Sequence, residues 1–312
     1  MKILIYGAGV IGSIFAAKLS LSGQDITVLA RNKRYDEIKK SGIILQNPST
    51  NQLETAYVKV IDNLPEEKVF DYIIVVMQRI QVKDILEKLS KNQSKNIIFV
   101  VNTASGYNEW LHAIDSAELL IGFPSAGGER KDGVVNYFIG KGAMRVFQTT
   151  TFGELNGEKT ERVKIIIKAF RKAGIPSVFS RDMDVWQKTH VAMVTCIANA
   201  LYGYNCNNYE LASSRIDVQE MVMGIKEGFK VLKELGMRPT PRKLKFFNLP
   251  TSVLTFIFRI FMKTKLAEIT MSKHCIAAKP EMVYLQMEFD KLIYESKIKT
   301  PNIDELRKKL LK

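Results

Sequence analysis

Three glycines near the start of the chain have the spacing of a phosphate-binding turn. Gly7, Gly9 and Gly12 form a G-x-G-x-x-G pattern between an apolar run and an amphipathic segment. In such a turn the first glycine permits the tight bend, the second admits a pyrophosphate and the third lets helix and strand pack closely. Unpaired N–H groups at the helix N-terminus then face the phosphates. We therefore predict that a dinucleotide binds at Gly7, Ala8, Gly9, Val10, Ile11 and Gly12.

The end of the second predicted strand indicates which dinucleotide binds. An acidic residue about 20 positions after the glycines would hydrogen-bond the free ribose hydroxyl of NAD. The chain instead reads Arg31-Asn32-Lys33-Arg34, and a guanidinium makes forked, charge-assisted hydrogen bonds to a phosphate. We therefore expect NADPH, with Arg31 at its 2′-phosphate. Lys33 and Arg34 either join this contact or are solvated loop charges.

The elements around this turn predict two domains. Up to residue 181, short β-branched runs alternate with amphipathic segments, as in a doubly wound parallel sheet. The predicted strands are residues 2–6, 26–29, 72–77, 97–101 and 119–122. Beyond residue 182 the pattern is almost entirely helical, with predicted helices at 185–201, 218–235 and 280–295. We predict an α/β Rossmann-type dinucleotide-binding domain at 1–181 and an all-α domain at 182–312, with the active site in the cleft between them.

The composition excludes several classes of protein. With 312 residues, 46% of them apolar, the chain is neither fibrous nor disordered. A net charge of +14 favours anionic partners, but the lysines are dispersed, so we expect no nucleic-acid binding. The three cysteines form no C-x-x-C pair and the three histidines have no metal-ligand spacing, so we expect no disulfide and no metal. We expect a cytoplasmic protein.

The most apolar stretch is residues 249–262. It contains Arg259 and is shorter than the roughly 20 residues that a membrane span requires. We predict a core helix or a helix at an interface in a homodimer, because an apolar helix fits either place. We expect no membrane contact, and contact with a membrane surface is the weaker alternative.

Motifs in the N-terminal half resemble those of the ketopantoate reductase (2-dehydropantoate 2-reductase) family. The glycine turn with Arg31 matches that family's NADPH site. Asn102 follows a predicted strand and stands where the family has the asparagine of an N-G-M-G-T loop. Gln78 stands where the family has a lysine that contacts cofactor and substrate, and Arg79 follows it. The resemblance therefore adds Gln78 and Asn102 to the cofactor-binding residues.

The C-terminal half carries further matches to the same family. Trp186-Gln187-Lys188 resembles the W-x-K at the start of the family's central helix, where the lysine is catalytic. Glu281 precedes Thr300-Pro301 by the spacing that separates the family's substrate-binding glutamate from its terminal proline. Glu268 is an alternative match for that glutamate.

The resemblance implies an activity and a role for each of these residues. The family reduces 2-dehydropantoate to pantoate with NADPH, in pantothenate and coenzyme A biosynthesis, and its helical domain is 6-phosphogluconate-dehydrogenase-like. Lys188 would donate a proton to the oxygen that becomes negative as hydride reaches the carbonyl carbon. Glu281 would orient a substrate hydroxyl. Asn102, Asn199 and Asn208 would bind the substrate, a small anionic 2-oxo acid.

The chain departs from the family's pattern mainly in the substrate pocket. Ala192 stands where the family has an asparagine one turn after the lysine. Asn199 is only the nearest candidate for the second helix asparagine, and Asn208 matches a later one after a small insertion. Two alternatives therefore stay open: a reductase of another 2-oxo acid or β-hydroxyacid, and a non-catalytic regulatory protein that binds NADPH.

Overall fold

The chain folds into two compact units. The computed structural model describes residues 1–47, 50–139 and 149–310. Unit 1 comprises Met1–Val101 and Tyr107–Met183, and unit 2 comprises Asn102–Gly106 and Asp184–Lys312. The sequence prediction placed the division between residues 181 and 182. It did not anticipate that the segment Asn102–Gly106 groups with the helices of unit 2.

Unit 1 is built on two sheets. Its strands are β1 (Lys2–Tyr6), β2 (Asp25–Leu29), β3 (Ile43–Gln46), β4 (Leu53–Ala56), β5 (Lys59–Ile61), β6 (Tyr72–Val75), β7 (Ile97–Val100), β8 (Leu119–Phe123), β9 (Ala126–Lys131), β10 (Val134–Ile139), β11 (Thr150–Glu154) and β12 (Ser177–Phe179). Among the described residues, the larger sheet has the order β12-β11-β8-β7-β6-β1-β2-β5. Neighbours from β5 to β8 are parallel, β11 is antiparallel to β8, and β12 is parallel to β11.

The larger sheet is buried on both faces. In β1, Ile3 and Ile5 join one hydrophobic core, and Leu4 and Tyr6 join a second one. Successive side chains of a strand point to opposite faces, so each face packs against its own core. The helices of this unit are α1 (Val10–Leu21), α2 (Asn32–Ser41), α3 (Leu86–Lys91), α4 (Asn108–Leu111) and α5 (Glu161–Lys172). This confirms the predicted doubly wound α/β fold.

A smaller sheet, with the order β4-β3-β10-β9, packs against α1. Lys18 on α1 lies 2.7 Å from Glu54 on β4, and its ammonium is 4.6 Å from the centre of the Tyr137 ring on β10. The sequence predicts a hairpin with a turn at Asp132-Gly133, which β9 and β10 form, but it does not predict β3 and β4.

Unit 2 is helical, as predicted. Its helices are α6 (Met183–Tyr202), α7 (Asn208–Ser213), α8 (Arg215–Glu234), α9 (Thr251–Met262), α10 (Lys265–Ala267), α11 (Lys273–Ser296) and α12 (Pro301–Leu310), and a π-helical turn spans Glu268–Ser272. The start of α11 differs from the prediction. The helix was predicted to begin at residue 280, but it begins at Lys273 and contains Pro280. Proline leaves the carbonyl four residues earlier without its helical hydrogen bond. Both Pro280 and Ile276 are exposed, so water can reach that turn.

An ionic cluster ties α12 to α8. Lys309 Nζ lies 2.7 Å from Asp217 Oδ1 and also donates to Glu220. Tyr204 donates to Asp217 Oδ2 at 2.6 Å, and Ser214 donates to the same oxygen. Burial alone would raise the pKa of Asp217, but the hydrogen bonds from Lys309, Ser214 and Tyr204 hold it at about 2. The cluster therefore stabilises unit 2 in the ionised state of Asp217.

Candidate active site

The glycine turn lies where the strand order of the larger sheet reverses. β1 runs between β2 and β6, and ligands of such sheets bind outside the carboxyl ends of the strands at this point. Gly7 has φ +118°, and a Cβ there would lie 2.2 Å from the Val76 carbonyl oxygen. A Cβ on Gly12 would lie 1.9 Å from the Gly7 oxygen, whereas one on Gly9 would meet nothing within 4 Å. The three glycines thus fit a bound dinucleotide, with open space at Gly9 for the pyrophosphate.

Two arginines lie beside this turn. Arg31 precedes α2 and is exposed, and its Nη2 is 3.5 Å from the hydroxyl of Tyr6 at the end of β1. Burial raises the pKa of Tyr6, and the Arg31 charge opposes that shift. Arg31 therefore presents its guanidinium to solvent close to the carboxyl end of β1, where a 2′-phosphate could reach it.

Arg34 is not a solvated loop charge, which was one of its two predicted interpretations. Its side chain is only 10% exposed and donates to Ser13 Oγ at 3.0 Å and to Glu37 at 3.1 Å. Its Nε has no hydrogen-bond partner among the described residues. Burial lowers the pKa of Arg34, and Glu37 opposes that shift. Lys33, in contrast, is 91% exposed.

Gln78 and Arg79 follow β6 at the same edge of the sheet. Gln78 caps a short 3₁₀ turn, and its backbone N–H donates to Gln81 Oε1 at 3.2 Å. Arg79 is buried, with Nη2 2.5 Å from Glu109 Oε2 and its guanidinium 5.7 Å from the centre of the Trp110 ring. The Arg79 charge is therefore already paired with a carboxylate within the fold.

The asparagine loop, Asn102–Gly106, follows β7 and is held by a glutamate that sequence reasoning missed. Glu288 on α11 is buried and accepts from the Ala104 backbone N–H at 2.7 Å and from Thr103 Oγ1 at 3.1 Å. Thr103 Oγ1 in turn accepts from the Ser105 backbone N–H. Asn102 Oδ1 is buried and has no hydrogen-bond partner within the described ranges. The loop thus presents an amide oxygen that the fold itself does not use.

Lys188 lies at the start of α6, one turn after Asp184. Its Nζ is 2.5 Å from Asp184 Oδ2, and its side chain is 14% exposed, against 38% for Asp184. Residues four apart on a helix face the same side, which is why the two side chains meet. A Cβ built on Gly106 would lie 3.7 Å from Asp184 Oδ1, so the asparagine loop ends beside this ion pair. Unit 2 therefore brings Lys188 and the asparagine loop close together.

Glu281 and Glu268 occupy different surroundings. Glu281 is buried on α11 two turns before Glu288, so it lies on the helix face that contacts the asparagine loop. Burial raises the pKa of Tyr202, and the charge of Glu281 adds to that shift. Glu268 lies instead in the π-helical turn and accepts from the Tyr209 hydroxyl at 2.9 Å. The position of Glu281 is the one that fits a role beside the asparagine loop.

A comparison with protein families supports the resemblance. The family model described as ketopantoate reductase PanE/ApbA matches residues 3–156. Residues 3–156 of the chain therefore belong to the ketopantoate reductase family.

Individual relatives agree with this assignment. Uncharacterized oxidoreductase YkpB of Bacillus subtilis (strain 168) is 27% identical over 194 residues, which cover 60% of this chain and 61% of YkpB. A 2-dehydropantoate 2-reductase of Mesorhizobium japonicum is 26% identical over 210 residues, which cover 60% of this chain and 63% of the relative. The chain thus aligns with less than two thirds of the length of either relative.

Solved structures share the fold over almost the whole chain. The 2-dehydropantoate 2-reductase from Geobacter metallireducens GS-15 has a TM-score of 0.80 at 16% identity and covers 99% of both chains. D-mandelate dehydrogenase with NADH and anilino(oxo)acetate has a TM-score of 0.78 at 17% identity and covers 99% of this chain and 97% of its own. At these identities the similarity establishes the fold.

The departures from the ketopantoate reductase pattern have structural counterparts in unit 2. Ala192 on α6 is fully buried against Gly228 of α8. A Cβ built on Gly228 would lie 3.0 Å from the Cβ of Ala192. Asn208 is buried and donates to the Met262 carbonyl at 2.6 Å while accepting from Ser272 Oγ at 3.0 Å. The main polar atoms of Asn208 are therefore used within the fold, and position 192 belongs to a helix–helix contact.

Asn199 is part of a buried polar chain. Its Nδ2 donates to Gln286 Oε1 at 3.0 Å, Gln286 donates to Asp290 at 2.8 Å, and Arg307 lies 2.6 Å from the same carboxylate. Asn199 Oδ1 has no partner among the residues that the structure describes. Asn199 therefore keeps one free acceptor, although its side chain is only 1% exposed.

Proposed function

We propose that this protein reduces 2-dehydropantoate to pantoate with NADPH. The observation that carries the proposal is Lys188, a mostly buried lysine at the family's W-x-K position whose ammonium is held 2.5 Å from a single carboxylate. The glycine turn of unit 1, with its open space at Gly9, supports the dinucleotide. As part of the same proposal, the reaction belongs to pantothenate and coenzyme A biosynthesis in the cytoplasm, where free thiols such as Cys196, Cys206 and Cys275 persist.

The proposed chemistry depends on Lys188 and Asp184 of unit 2. Bound NADPH supplies the hydride that reaches the carbonyl carbon of the substrate. Lys188 donates a proton from Nζ to the carbonyl oxygen, which becomes the hydroxyl of the product. Asp184 holds Nζ in place, and its 38% exposure lets Lys188 regain a proton from solvent. Before the transfer, the Lys188 ammonium also stabilises the negative charge that develops on the oxygen.

Binding of the substrate falls to the residues around the asparagine loop. Asn102 has an unused amide oxygen that can accept from a substrate hydroxyl, and its amide nitrogen can donate to a carboxylate. Glu281 can accept from a second hydroxyl and so orient the substrate. Asn199 and Asn208 are weaker candidates, because Asn199 donates its amide nitrogen to Gln286 and Asn208 uses both ends of its amide within unit 2.

The preference for NADPH over NADH rests on Arg31. Its exposed guanidinium at the end of the second strand suits a 2′-phosphate, and Arg34 adds a second positive charge near Ser13. Loss of a charge-assisted hydrogen bond costs about 1.5–3 kcal/mol. We therefore expect Arg31→Gln to weaken NADPH binding about 10- to 100-fold and to leave NADH binding nearly unchanged. Equal losses for both dinucleotides in a fluorescence titration would contradict the assignment.

A reductase of a different 2-oxo acid is the second candidate. The observation that favours it is Ala192, because this position lies in the α6–α8 contact and supplies no amide to a substrate. The two candidates share the cofactor, Lys188 and the type of reaction. They differ only in which 2-oxo acid gives the highest kcat/KM.

The test is NADPH oxidation with 2-dehydropantoate and with a panel of other 2-oxo acids. Lys188→Ala and Lys188→Gln should lower kcat about 10²- to 10⁴-fold, as loss of a general acid does. Lys172→Ala, which changes an exposed lysine on α5, is the matched control and should keep full activity. Binding of NADPH without reduction of any substrate would instead support a regulatory protein.

A further inference from the structure

Helix α9 has a second apolar face that the fold leaves exposed. Leu254, Phe258 and Met262 turn inward and are buried in the core of unit 2. The opposite side, which we name the outer α9 face, consists of Leu249, Val253, Phe256, Ile257 and Ile260, each between 42% and 64% exposed. Phe256, Ile257 and Ile260 lie three, four and seven residues after Val253, so these four side chains form one continuous stripe along the helix. Contiguous exposed apolar surface of this kind indicates a binding site.

The charges on the chain segment that contains the outer α9 face are all of one sign. Between Glu234 and Glu268 the sequence has seven Lys and Arg residues and no Asp or Glu. Arg242 and Lys245 precede α9 on a 3₁₀ helix, Lys263 ends it and Lys265 follows, and all four are exposed. These four side chains make no ion pair within the described residues. In the chain, the apolar stripe is thus preceded and followed by exposed positive charges that make no ion pair among the described residues.

A second copy of the chain is a poor partner for this surface. In a two-fold symmetric contact the same patch from each copy meets itself. Arg242, Lys245, Lys263 and Lys265 of one copy would then face the same residues of the other. Like charges brought together in this way weaken an interface. The charge pattern requires a partner that is apolar in its interior and negative at its surface.

We propose that the outer α9 face docks on the surface of a membrane that contains anionic lipids. Exposed apolar side chains on one helix face, with exposed basic side chains before and after them in the chain, match the acyl chains and phosphate headgroups of one leaflet. Within the described residues, no single helix is long and apolar enough to cross a membrane; one bent pair, Arg242–Asn248 with Thr251–Met262, passes that test only jointly. The protein would therefore lie on the membrane, contrary to the expectation of no membrane contact. This inference is independent of the proposed reductase activity.

Co-sedimentation with vesicles tests the proposal on the full chain. We expect binding to vesicles of phosphatidylcholine with one third phosphatidylglycerol, weakened by salt, and little binding to phosphatidylcholine alone. Phe256→Gln with Ile260→Gln should lower the partition coefficient about tenfold or more. Lys263→Gln with Lys265→Gln should lower it by a similar factor. The second pair changes only exposed charged residues, so it tests the proposal even if the first pair does not fold.

Matched controls separate the site from its general composition. Ile165→Gln changes an apolar residue on α5 that is 45% exposed, and Lys168→Gln with Lys172→Gln removes two exposed charges from the same helix. Both controls should retain vesicle binding. Equal loss in these controls, or equal binding to the two kinds of vesicle, would overturn the proposal. So would sedimentation equilibrium that shows a dimer dissociated by the Phe256 and Ile260 changes.

Discussion

Replacing Glu288 by alanine should release the asparagine loop from α11. The carboxylate is 4% exposed and accepts from the Ala104 N–H at 2.7 Å and from Thr103 Oγ1 at 3.1 Å. A hydrogen bond to a charged group contributes about 1.5–3 kcal/mol and a neutral one about 1 kcal/mol, and the substitution also leaves a buried N–H without a partner. We expect Glu288→Ala to lower the free energy of unfolding by about 3 kcal/mol.

Glu288→Gln keeps an oxygen acceptor of the same size and loses only the charge. It should cost about 1 kcal/mol. For a unit of this size, 1 kcal/mol shifts the Tm by about 3 °C, so the two variants should unfold about 10 °C and 3 °C below the wild type. Calorimetry or urea unfolding measures the difference. Glu295→Ala, which removes an exposed glutamate from the same helix, should change the stability by less than about 0.5 kcal/mol.

A kinetic readout distinguishes a positioning role of Glu288 from a purely structural one. If the loop presents Asn102 to the substrate, Glu288→Ala should raise the KM for the 2-oxo acid more than it lowers kcat. Glu288→Gln should restore most of the KM. The reasoning is refuted if Glu288→Ala is as stable as the wild type, or if Glu288→Gln loses as much stability as Glu288→Ala.

Three further predictions follow from the glycine turn and the ionic cluster. Gly12→Ala places a Cβ 1.9 Å from the Gly7 oxygen, so it should lower the Tm by several degrees in thermal unfolding; an unchanged Tm would contradict the observed packing. Gly9→Ala meets nothing within 4 Å, so it should keep the wild-type Tm yet weaken NADPH binding about tenfold or more in a titration, because its methyl group enters the pyrophosphate space. The pKa of Asp217 is lowered from 3.8 to about 2, so its ionisation contributes about 2 kcal/mol that is fully present above pH 3.8 and is lost as the pH falls through 2. Urea unfolding of Asp217→Asn and of the wild type should show a difference in the free energy of unfolding that disappears over that pH range. A difference that stays constant with pH would exclude a contribution from the ionisation of Asp217.

The fold was predictable where burial and secondary structure leave a local pattern. β1, β2, β6, β7 and β8 are apolar on both faces, so they read as continuous hydrophobic runs. In the smaller sheet, β3 and β4 have no such signal, because β4 is half exposed and β3 pairs in parallel with β10, about 90 residues away. The predicted helix start at residue 280 was wrong for a different reason. Proline usually marks a helix start, but packing of α11 on both sides of Pro280 outweighs that preference.

In the candidate site too, local features could be predicted from the sequence and contacts between distant residues could not. The glycine turn and the Asp184–Lys188 pair depend on residues within one turn, so their spacing alone could find them. The link between Glu288 and Ala104 joins residues 184 positions apart, and no local pattern indicates it. The burial of Arg34 depends on Ser13 of another helix, and the place of Ala192 depends on Gly228 of α8. Such contacts are set by tertiary packing, which a single sequence does not display.

NADPH oxidation with 2-dehydropantoate, measured for the wild type and for Lys188→Ala, is the decisive test of the proposed reduction. We expect turnover in the wild type and a fall in kcat of about 10²-fold or more in the variant, with NADPH binding unchanged. Wild-type rates in the Lys188→Ala protein would contradict the role of Lys188. Absence of turnover in a wild-type protein that binds NADPH would contradict the substrate.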